Sequence, residues 1–311
     1  MDRPTGGWLE LSVSAGGEAV EAVSEIFARV ATGITVEPAF LPTDEGLGAR
    51  LDPTRPATVR AYLEAEDDAV VEAAVVQTET ALGHLQAFGL GPIGDLQRRV
   101  VAPTEWAETW KQHFPLLRIG RRIIIRPAWR RHRRHPGDVV LALDPGQAFG
   151  TGLHPTTRLC LEGVERLGDA GLLEGACVLD VGCGSGILAL AAAGFGARHV
   201  LGLDTDPLAV EATQRNARRN GCASRVKARQ GSLPAPDGPY DVVLANLIAS
   251  LLVGLARPLH EATGPGGRLV AGGIFADREG DVRRALRTAG FRFTGRLAEG
   301  EWVTLEAQRP A

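Results

Sequence analysis

Hydrophobic and polar positions in the first hundred residues predict a small α+β domain. Alternation of apolar and polar residues predicts four strands, which are Trp8–Val13, Gly33–Phe40, Thr58–Leu63 and Leu96–Val101. Apolar residues at helical spacing predict two helices, which are Gly17–Ala31 and Asp67–His84. The resulting β-α-β-β-α-β order is that of a ferredoxin-like fold, and it assigns residues 1–101 to one domain.

A connecting segment is predicted over residues 102–136. A helix is expected to open at Pro103-Thr104-Glu105, with Thr104 as its N-cap, and to end before Pro115, because proline cannot continue a helix. Three consecutive isoleucines within Gly120–Arg126 predict a buried strand. Arg130–His135 is a dense basic loop.

From about residue 156 onward, strand-like runs alternate with helical ones. The predicted strands are Val178–Val181, Val200–Asp204, Asp241–Ala245 and Arg268–Ala271. The predicted helices are Ile187–Gly196, Pro207–Asn220, Ile248–His260 and Asp277–Ala289. This alternation indicates βαβ units, and it predicts a Rossmann-like α/β domain over residues 137–311 with a parallel sheet between two helical layers. Two last strands are expected to pair as an antiparallel hairpin at the sheet edge, Phe291–Arg296 and Trp302–Gln308.

Composition narrows the class of protein. With 311 residues, 44% apolar and 23% charged, the chain is an ordinary globular protein long enough for two domains. Its longest nearly uninterrupted apolar run, Ile187–Ala197, is too short to span a membrane, and the N-terminus carries no apolar signal segment, so a cytoplasmic location is expected. Four cysteines without a Cys-x-x-Cys pair predict neither a metal site nor a disulfide framework. A net charge of −3 predicts no stable binding to nucleic acid.

A glycine-rich loop carries the candidate chemistry. A buried strand leads into Asp180, and three alternating glycines, Gly182, Gly184 and Gly186, follow before a helix begins. Glycines let the backbone approach a ligand without a Cβ clash, and a helix N-terminus offers unpaired N–H groups. Asp204 ends the next strand about twenty residues later, where a carboxylate accepts hydrogen bonds from ribose hydroxyls.

Two cofactors compete for this loop. A dinucleotide fingerprint needs G-x-G-x-x-G, and Ile187 replaces its third glycine, which argues against a nicotinamide dehydrogenase. The charge of Asp180 repels phosphates and attracts an ammonium group through a bound water or a backbone turn. A ribose joined to an amino-acid ammonium describes S-adenosyl-L-methionine, so we expect this cofactor, with Asp180, Gly182, Gly184 and Asp204 at its site. A strand–helix turn without any ligand is the alternative.

Other segments carry recognisable motifs, and they are Trp106–Lys111, Leu143–Thr157, Ala245–Leu247 and Gly300–Trp302. Together with the glycine loop they resemble PrmA, the family of bacterial methyltransferases of large-subunit ribosomal protein eleven. The resemblance covers nearly the whole chain and is most specific over Asp144–Thr157. Two positions depart from the family pattern: Gln147 replaces a small apolar or Met residue, and Leu153 replaces Thr or His.

The resemblance implies a seven-stranded class I methyltransferase domain after a ferredoxin-like domain that grips the ribosomal substrate. The implied activity is N-methylation of lysine side chains and of the N-terminal α-amino group of that protein, with S-adenosyl-L-methionine as methyl donor. The implied cofactor contacts are Thr157, Gly182, Asp204 and Asn246. The implied wall of the methyl-transfer site is formed by Phe149 and His154. The large-subunit ribosomal protein is the expected partner, and the chain is expected to be a monomer.

The chemistry leaves several roles open. The nucleophile must be a neutral amine. Asn246 stands at the carboxyl edge of the predicted sheet, where it orients that amine, or it only caps the following helix. His154 takes the amine proton or orients its loop, and Phe149 contacts the sulfonium by a cation–π interaction or packs the loop. Trp302 belongs either to the site or to the core.

Some functional alternatives also stay open. Eight arginines between Arg118 and Arg134 admit contact with ribosomal RNA, but a solvated loop is favoured because the chain is not basic overall. The methyl acceptor is alternatively an RNA base, a small metabolite or another protein, and the separate N-terminal domain argues against a small-molecule enzyme. A non-catalytic ribosome-binding module is disfavoured by the intact cofactor motif.

Overall fold

A computed structural model describes the chain in two compact units, Met1–Pro115 and Leu116–Ala311. The described residues are 8–16, 19–31, 33–37, 39–42, 49–51, 55–64, 68–87, 89, 91–101, 116–127, 129–143 and 154–311. The helix predicted between Pro103 and Pro115 lies outside these residues, as does most of the motif over Asp144–Thr157.

The first unit contains a four-stranded antiparallel sheet and two helices. The sheet has the order β2-β5-β1-β6, with β1 (Trp8–Ala15), β2 (Gly33–Glu37), β5 (Ala57–Glu64) and β6 (Gln97–Val101). The helices are α1 (Ala19–Ala28) and α2 (Asp68–Ala87). The elements follow the predicted order. A short hairpin, β3 (Phe40–Pro42) with β4 (Ala49–Leu51), is additional, because three-residue strands carry too little periodicity to be predicted.

The alternating pattern of strand β1 shows how this unit buries its apolar residues. Its alternate residues Leu11 and Val13 are buried, and they pack in one cluster with Val23 and Phe27 of α1. This burial of apolar side chains between sheet and helix supplies the main stabilisation of the unit.

The second unit begins with three short strands. The buried strand predicted over Gly120–Arg126 is confirmed as β8 (Ile123–Pro127), although it begins three residues later, after a turn at Gly120, whose φ is +59°. A strand that the pattern does not predict, β7 (Leu117–Ile119), precedes this turn and pairs antiparallel with β8. Strand β9 (Val139–Leu143), which the pattern does not predict, pairs in parallel with β8.

A seven-stranded sheet dominates the second unit. Its strands are β10 (Cys177–Val181), β11 (His199–Asp204), β12 (Val226–Gln230), β13 (Tyr240–Asn246), β14 (Thr263–Phe275), β15 (Arg292–Glu299) and β16 (Trp302–Gln308). Their order is β12-β11-β10-β13-β14-β16-β15, with the first five parallel to one another and β16 antiparallel to both neighbours. The predicted terminal hairpin is therefore confirmed. Strand β12 was missed because its Val-Lys-Ala-Arg-Gln sequence carries few apolar residues.

Helices connect these strands. They are α3 (Pro155–Asp169), α4 (Ile187–Gly194), α5 (Pro207–Arg219), α6 (Ala249–Gly254), α7 (Ala256–Ala262) and α8 (Glu279–Ala289), with a 3₁₀ turn at Ala276–Arg278. The helix predicted over Ile248–His260 is divided into α6 and α7 at Leu255.

The topology fixes where a ligand site belongs. The chain leaves β10 toward β11 on one side and later returns to β13 on the other, so β10 is the switch point of the sheet. Val181 is in register with Leu203 of β11 and Ala245 of β13, so the carboxyl ends of the three strands lie side by side.

Within the described residues, no helix combines the length and apolar character needed to cross a membrane. The same residues bring together no group of three or more His, Cys, Asp and Glu side chains with the geometry of a metal site. The four cysteines are thiols, and Cys160, Cys183 and Cys222 are buried.

Candidate active site

The loop that follows β10 is shaped by its glycines. Gly182 and Gly186 have φ values of +72° and +79°, a backbone region that favours glycine. Gly186 is the N-cap of α4, so the helix begins directly after the loop. A Cβ on Gly182 would lie 2.5 Å from Leu247 Cδ2, just beyond β13. The loop therefore packs against the side chain of Leu247 at the end of β13.

Asp180 lies beneath this loop rather than at its surface. Its side chain is buried, and Oδ2 accepts a hydrogen bond from the Ala189 amide of α4 at 3.1 Å. Burial raises the pKa of Asp180 to about 7, and the charge of Asp204 acts in the same direction. Oδ1 is buried and has no hydrogen-bond partner among the described residues. Asp180 thus retains one acceptor for a water or a ligand donor that reaches the loop.

Asp204 is held in place at the end of β11 before any ligand binds. Its Oδ2 accepts a hydrogen bond from the Gly184 amide at 2.9 Å, and its Oδ1 accepts one from the Asp206 amide at 3.0 Å. Asp206 in turn caps α5 by accepting from the Leu208 amide at 2.8 Å. Each carboxylate oxygen of the half-buried Asp204 retains a lone pair, which suits a diol with two hydroxyl donors.

Asn246 occupies the end of β13 and does not cap the next helix. The N-cap of α6 is Ile248, without a side-chain capping hydrogen bond, so the capping alternative for Asn246 is wrong. The Asn246 side chain is half-buried and makes no hydrogen bond with another described residue. The side-chain amide of Asn246 is therefore available to form a hydrogen bond with a ligand.

Gly272 brings three elements together around Asn246. It is in register with Asn246, and a Cβ there would lie 3.3 Å from Asn246 Oδ1 and 2.3 Å from the Sγ of Cys160 in α3. The sequence reasoning missed this position, although a Gly-Gly pair inside a strand is a signal of close backbone approach.

His154 begins α3 as its N-cap. Its Nδ1 accepts a hydrogen bond from the Thr156 amide at 3.3 Å and lies 2.8 Å from the Thr156 hydroxyl. Burial, reinforced by the charge of Arg158, lowers the pKa of His154 to about 4. The imidazole is neutral at pH 7 and is a weak base, so the geometry favours the loop-orienting role over proton abstraction. Thr157 is buried in the first turn of the same helix.

Trp302 joins the start of α3 to the terminal hairpin. Its indole contacts the His154 ring edge-on at a centroid distance of 4.9 Å and lies 4.1 Å from the ring of Phe275. Arg158 of α3 donates to Glu299 in β15, with Nε 3.1 Å from Oε2. Trp302 is buried in an apolar cluster with Leu159 and Leu297, so its packing supports the core alternative that the sequence left open. Phe149, the other expected wall residue, lies outside the described residues.

The arrangement fits S-adenosyl-L-methionine. Asp180 below the loop has an Oδ1 without a hydrogen-bond partner among the described residues, and Asp204 offers two acceptors one strand away. An amino-acid ammonium and a ribose diol match these acceptors. A largely parallel sheet with this strand order and this glycine loop after its central strand is the fold of the class I S-adenosylmethionine-dependent methyltransferases.

Comparison with known proteins gives the family. The model of the ribosomal protein L11 methyltransferase (PrmA) family matches residues 7–310, and the chain belongs to this family. It is 43% identical to the ribosomal protein L11 methyltransferase of Chloroflexus aurantiacus over 98% of this chain and 99% of the relative. With that of Herpetosiphon aurantiacus it shares 42% identity over 97% and 99%. A solved structure described as ribosomal protein L11 methylase from Lactobacillus delbrueckii subsp. bulgaricus matches with a TM-score of 0.58 at 31% identity, covering 63% of this chain and 99% of that chain.

Replacing Asp204 by Ala tests its assignment to the ribose. We expect Asp204→Ala to weaken binding of S-adenosylhomocysteine by about 1.5–3 kcal/mol, the loss typical of hydrogen bonds to a charged group. Isothermal titration calorimetry measures this, with Asp277→Ala on the exposed 3₁₀ turn as the matched control. Unchanged affinity in Asp204→Ala would remove this residue from the site.

Two substitutions of His154 separate positioning from proton transfer. Asn is among the best N-cap residues, so His154→Asn is expected to keep the cap and most of the turnover, whereas His154→Ala loses about 1 kcal/mol of stability together with turnover. Because the pKa of His154 is about 4, the pH profile of kcat/KM in His154→Asn is expected to match the wild type between pH 6 and 8. Equal loss of turnover in both variants, despite a stable His154→Asn fold, would make His154 the base.

Proposed function

We propose that this protein transfers methyl groups from S-adenosyl-L-methionine to amines of ribosomal protein L11, both lysine side chains and the N-terminal α-amino group. The observation that carries this proposal is the family match over residues 7–310, which includes both compact units. The acceptors at the carboxyl edge of the sheet support it independently. We also propose that the protein acts as a monomer in the cytoplasm, without stable binding to nucleic acid.

The proposed division of labour follows the chain. Residues 1–101 form a ferredoxin-like domain that captures the substrate. Residues 102–136 connect this domain to residues 137–311, which bind the cofactor and catalyse methyl transfer. The sheet order β2-β5-β1-β6 with two helices supports the ferredoxin-like assignment. Strands β7 and β8 fall within the second compact unit, which supports grouping that part of the connection with residues 137–311.

Several residues would hold the cofactor. Asp204 would accept the ribose hydroxyls, and the loop through Gly182 and Gly184 would pass close to the ligand because no Cβ intervenes. Asp180 would receive the ammonium group through a water at its free Oδ1, and Thr157 would line the site from α3. When bound, S-adenosyl-L-methionine supplies an electrophilic methyl group on a sulfonium.

Asn246 is proposed to aim the acceptor amine. A neutral amine retains N–H donors, and its lone pair must point along the line of the methyl–sulfur bond. The Asn246 side-chain oxygen, free of hydrogen bonds to other described residues, would accept one such N–H and fix this direction. Phe149 remains a proposed wall of the same site.

The amine proton is proposed to leave to water. A lysine side chain has a pKa near 10.4 and an α-amino group one near 7.7–8.0, so deprotonation precedes attack. His154 is a poor acceptor because its pKa is about 4. It acts instead as a positioning residue that holds the first turn of α3 and packs against Trp302.

Removing the Asn246 amide tests the aiming role. We expect Asn246→Ala to reduce kcat about a hundredfold, near the loss for one preorganised polar group at a reacting centre. The affinity for S-adenosylhomocysteine is expected to change little by comparison. Rapid-quench kinetics with saturating acceptor measures the first quantity and calorimetry the second. If kcat holds while affinity collapses, Asn246 is a cofactor clamp and does not aim the amine.

The proposed function is tested directly with purified components. The full chain, S-adenosyl-L-methionine and recombinant ribosomal protein L11 are incubated, and peptide mass spectrometry locates the methyl groups. We expect them on lysine side chains and on the N-terminal amine, and not on ribosomal RNA or free lysine supplied in parallel. Asp277→Ala serves as an active control. Methylation of the RNA or of free lysine without methylation of L11 would overturn the proposal.

A further inference from the structure

Helix α6, which follows Asn246, exposes aliphatic side chains. Its Leu252 is fully buried in the core cluster and anchors the helix to the sheet. Ile248, the N-cap of α6, is nevertheless 58% exposed, and Leu251 is 49% exposed. The Leu251 amide donates to the Ile248 carbonyl at 3.0 Å, so these two side chains stand one turn apart on the same helix. A surface helix ordinarily presents polar side chains to solvent, and α6 departs from this pattern.

No charged residue interrupts this part of the chain. Between Asp241 and Arg257 the sequence has no acidic or basic residue and no histidine. Val253, which is also exposed, adds a third aliphatic side chain to the same short helix. Single exposed apolar residues are normal on a protein surface, whereas several together beside a ligand site indicate a binding surface.

Strand β14 adds an aromatic ring at the same edge of the sheet. A Cβ on Gly273 would lie 2.4 Å from the Leu247 carbonyl oxygen, so β14 passes directly beside the residue that precedes Ile248. Two residues further along β14, Phe275 is exposed at the end of the strand. We call Ile248, Leu251 and Phe275 the apolar rim. The apolar rim thus lies at the carboxyl edge of β13 and β14, the edge at which Asn246 stands.

We infer that the apolar rim binds the stretch of ribosomal protein L11 that carries an acceptor lysine, by covering apolar side chains next to that lysine. This inference rests on the proposed function, in which Asn246 aims the acceptor amine. Ile248 is two residues beyond Asn246, at most about 7 Å along the chain. A lysine whose amine reaches Asn246 therefore brings the residues on either side of it against the apolar rim.

The apolar rim contributes affinity and selectivity but no proton transfer. Its side chains carry no titratable group, so they hold the acceptor segment equally before and during methyl transfer and act on KM rather than on kcat. An apolar surface also disfavours charged neighbours of the lysine, because covering a charge without a partner is costly. The apolar rim therefore selects which lysines of the substrate are methylated.

The test compares two peptides that differ only beside a single lysine, which is flanked by leucines in one and by serines in the other. The full chain is assayed with each peptide at saturating S-adenosyl-L-methionine, and we expect a lower KM for the leucine peptide. Covering the exposed half of an Ile or Leu side chain is worth about fivefold in affinity. Ile248→Gln/Leu251→Gln is therefore expected to raise the KM of the leucine peptide about twentyfold and to abolish the preference between the peptides. The kcat and the affinity for S-adenosylhomocysteine are expected to stay unchanged.

Two matched variants separate apolar contact from general damage. Ile248→Met/Leu251→Met keeps apolar side chains of similar volume and is expected to keep the preference for the leucine peptide. Leu172→Gln changes a leucine that is 40% exposed before the amino end of β10, and it is expected to keep the wild-type KM. An unchanged preference in Ile248→Gln/Leu251→Gln, or an equal rise of KM in Leu172→Gln, would overturn the inference. A lower molecular mass of Ile248→Gln/Leu251→Gln in sedimentation, with an unchanged KM, would assign the apolar rim to contact between two copies of the chain and likewise overturn it.

Recombinant L11 distinguishes this inference from the proposed function. The wild type and the same variants are assayed with the whole ribosomal protein as acceptor. Methylation of L11 by the wild type, with a KM that Ile248→Gln/Leu251→Gln does not raise, would refute the inference and leave the proposed function standing. Failure of the wild type to methylate L11 would refute the proposed function, and the inference with it.

Discussion

The candidate site depends on how closely the loop after β10 approaches the end of β13. Position 182 favours glycine because its φ is +72°, and any Cβ there would also displace the end of the Leu247 side chain. The Gly184 amide then reaches the Asp204 carboxylate, which ties in the end of β11. A second close approach at Gly272 brings α3 beside Asn246. The two glycines, Gly182 and Gly272, thus determine which polar groups converge at one sheet edge.

These polar groups are held by hydrogen bonds from the protein's own backbone. Two backbone amides hold Asp204, and the α4 amide of Ala189 holds Asp180. The N-terminal turn of α3 is fixed by the His154 cap and by the edge-on contact of that ring with Trp302. Preorganisation matters because binding energy then need not be spent on ordering the site, and it remains for alignment of the reacting groups.

The sequence predicts the elements around the candidate site well wherever the signal is local. Gly182, Asp204 and the helix after the loop follow from residue type and spacing, and the structure has those elements where they are expected. Local pattern fails where tertiary contacts decide. Glu165 of α3 accepts a hydrogen bond from the Arg121 amide at 2.9 Å and so holds the turn at Gly120, which is why the predicted strand begins at Ile123 and not at Gly120. The low pKa of His154 arises from burial. Asn246 does not cap a helix because α6 begins only at Ala249. Neither feature can be predicted from one sequence.

A crystal structure of the protein with S-adenosylhomocysteine and an acceptor peptide from L11 tests the central claim most directly, since it shows both ligands against the same sheet edge. The account expects the ribose hydroxyls within hydrogen-bond distance of Asp204. It also expects the acceptor amine bonded to the Asn246 side-chain oxygen, with the nitrogen facing the sulfur. A ribose held away from Asp204, or an acceptor amine that approaches the sulfur without contacting Asn246, would contradict it.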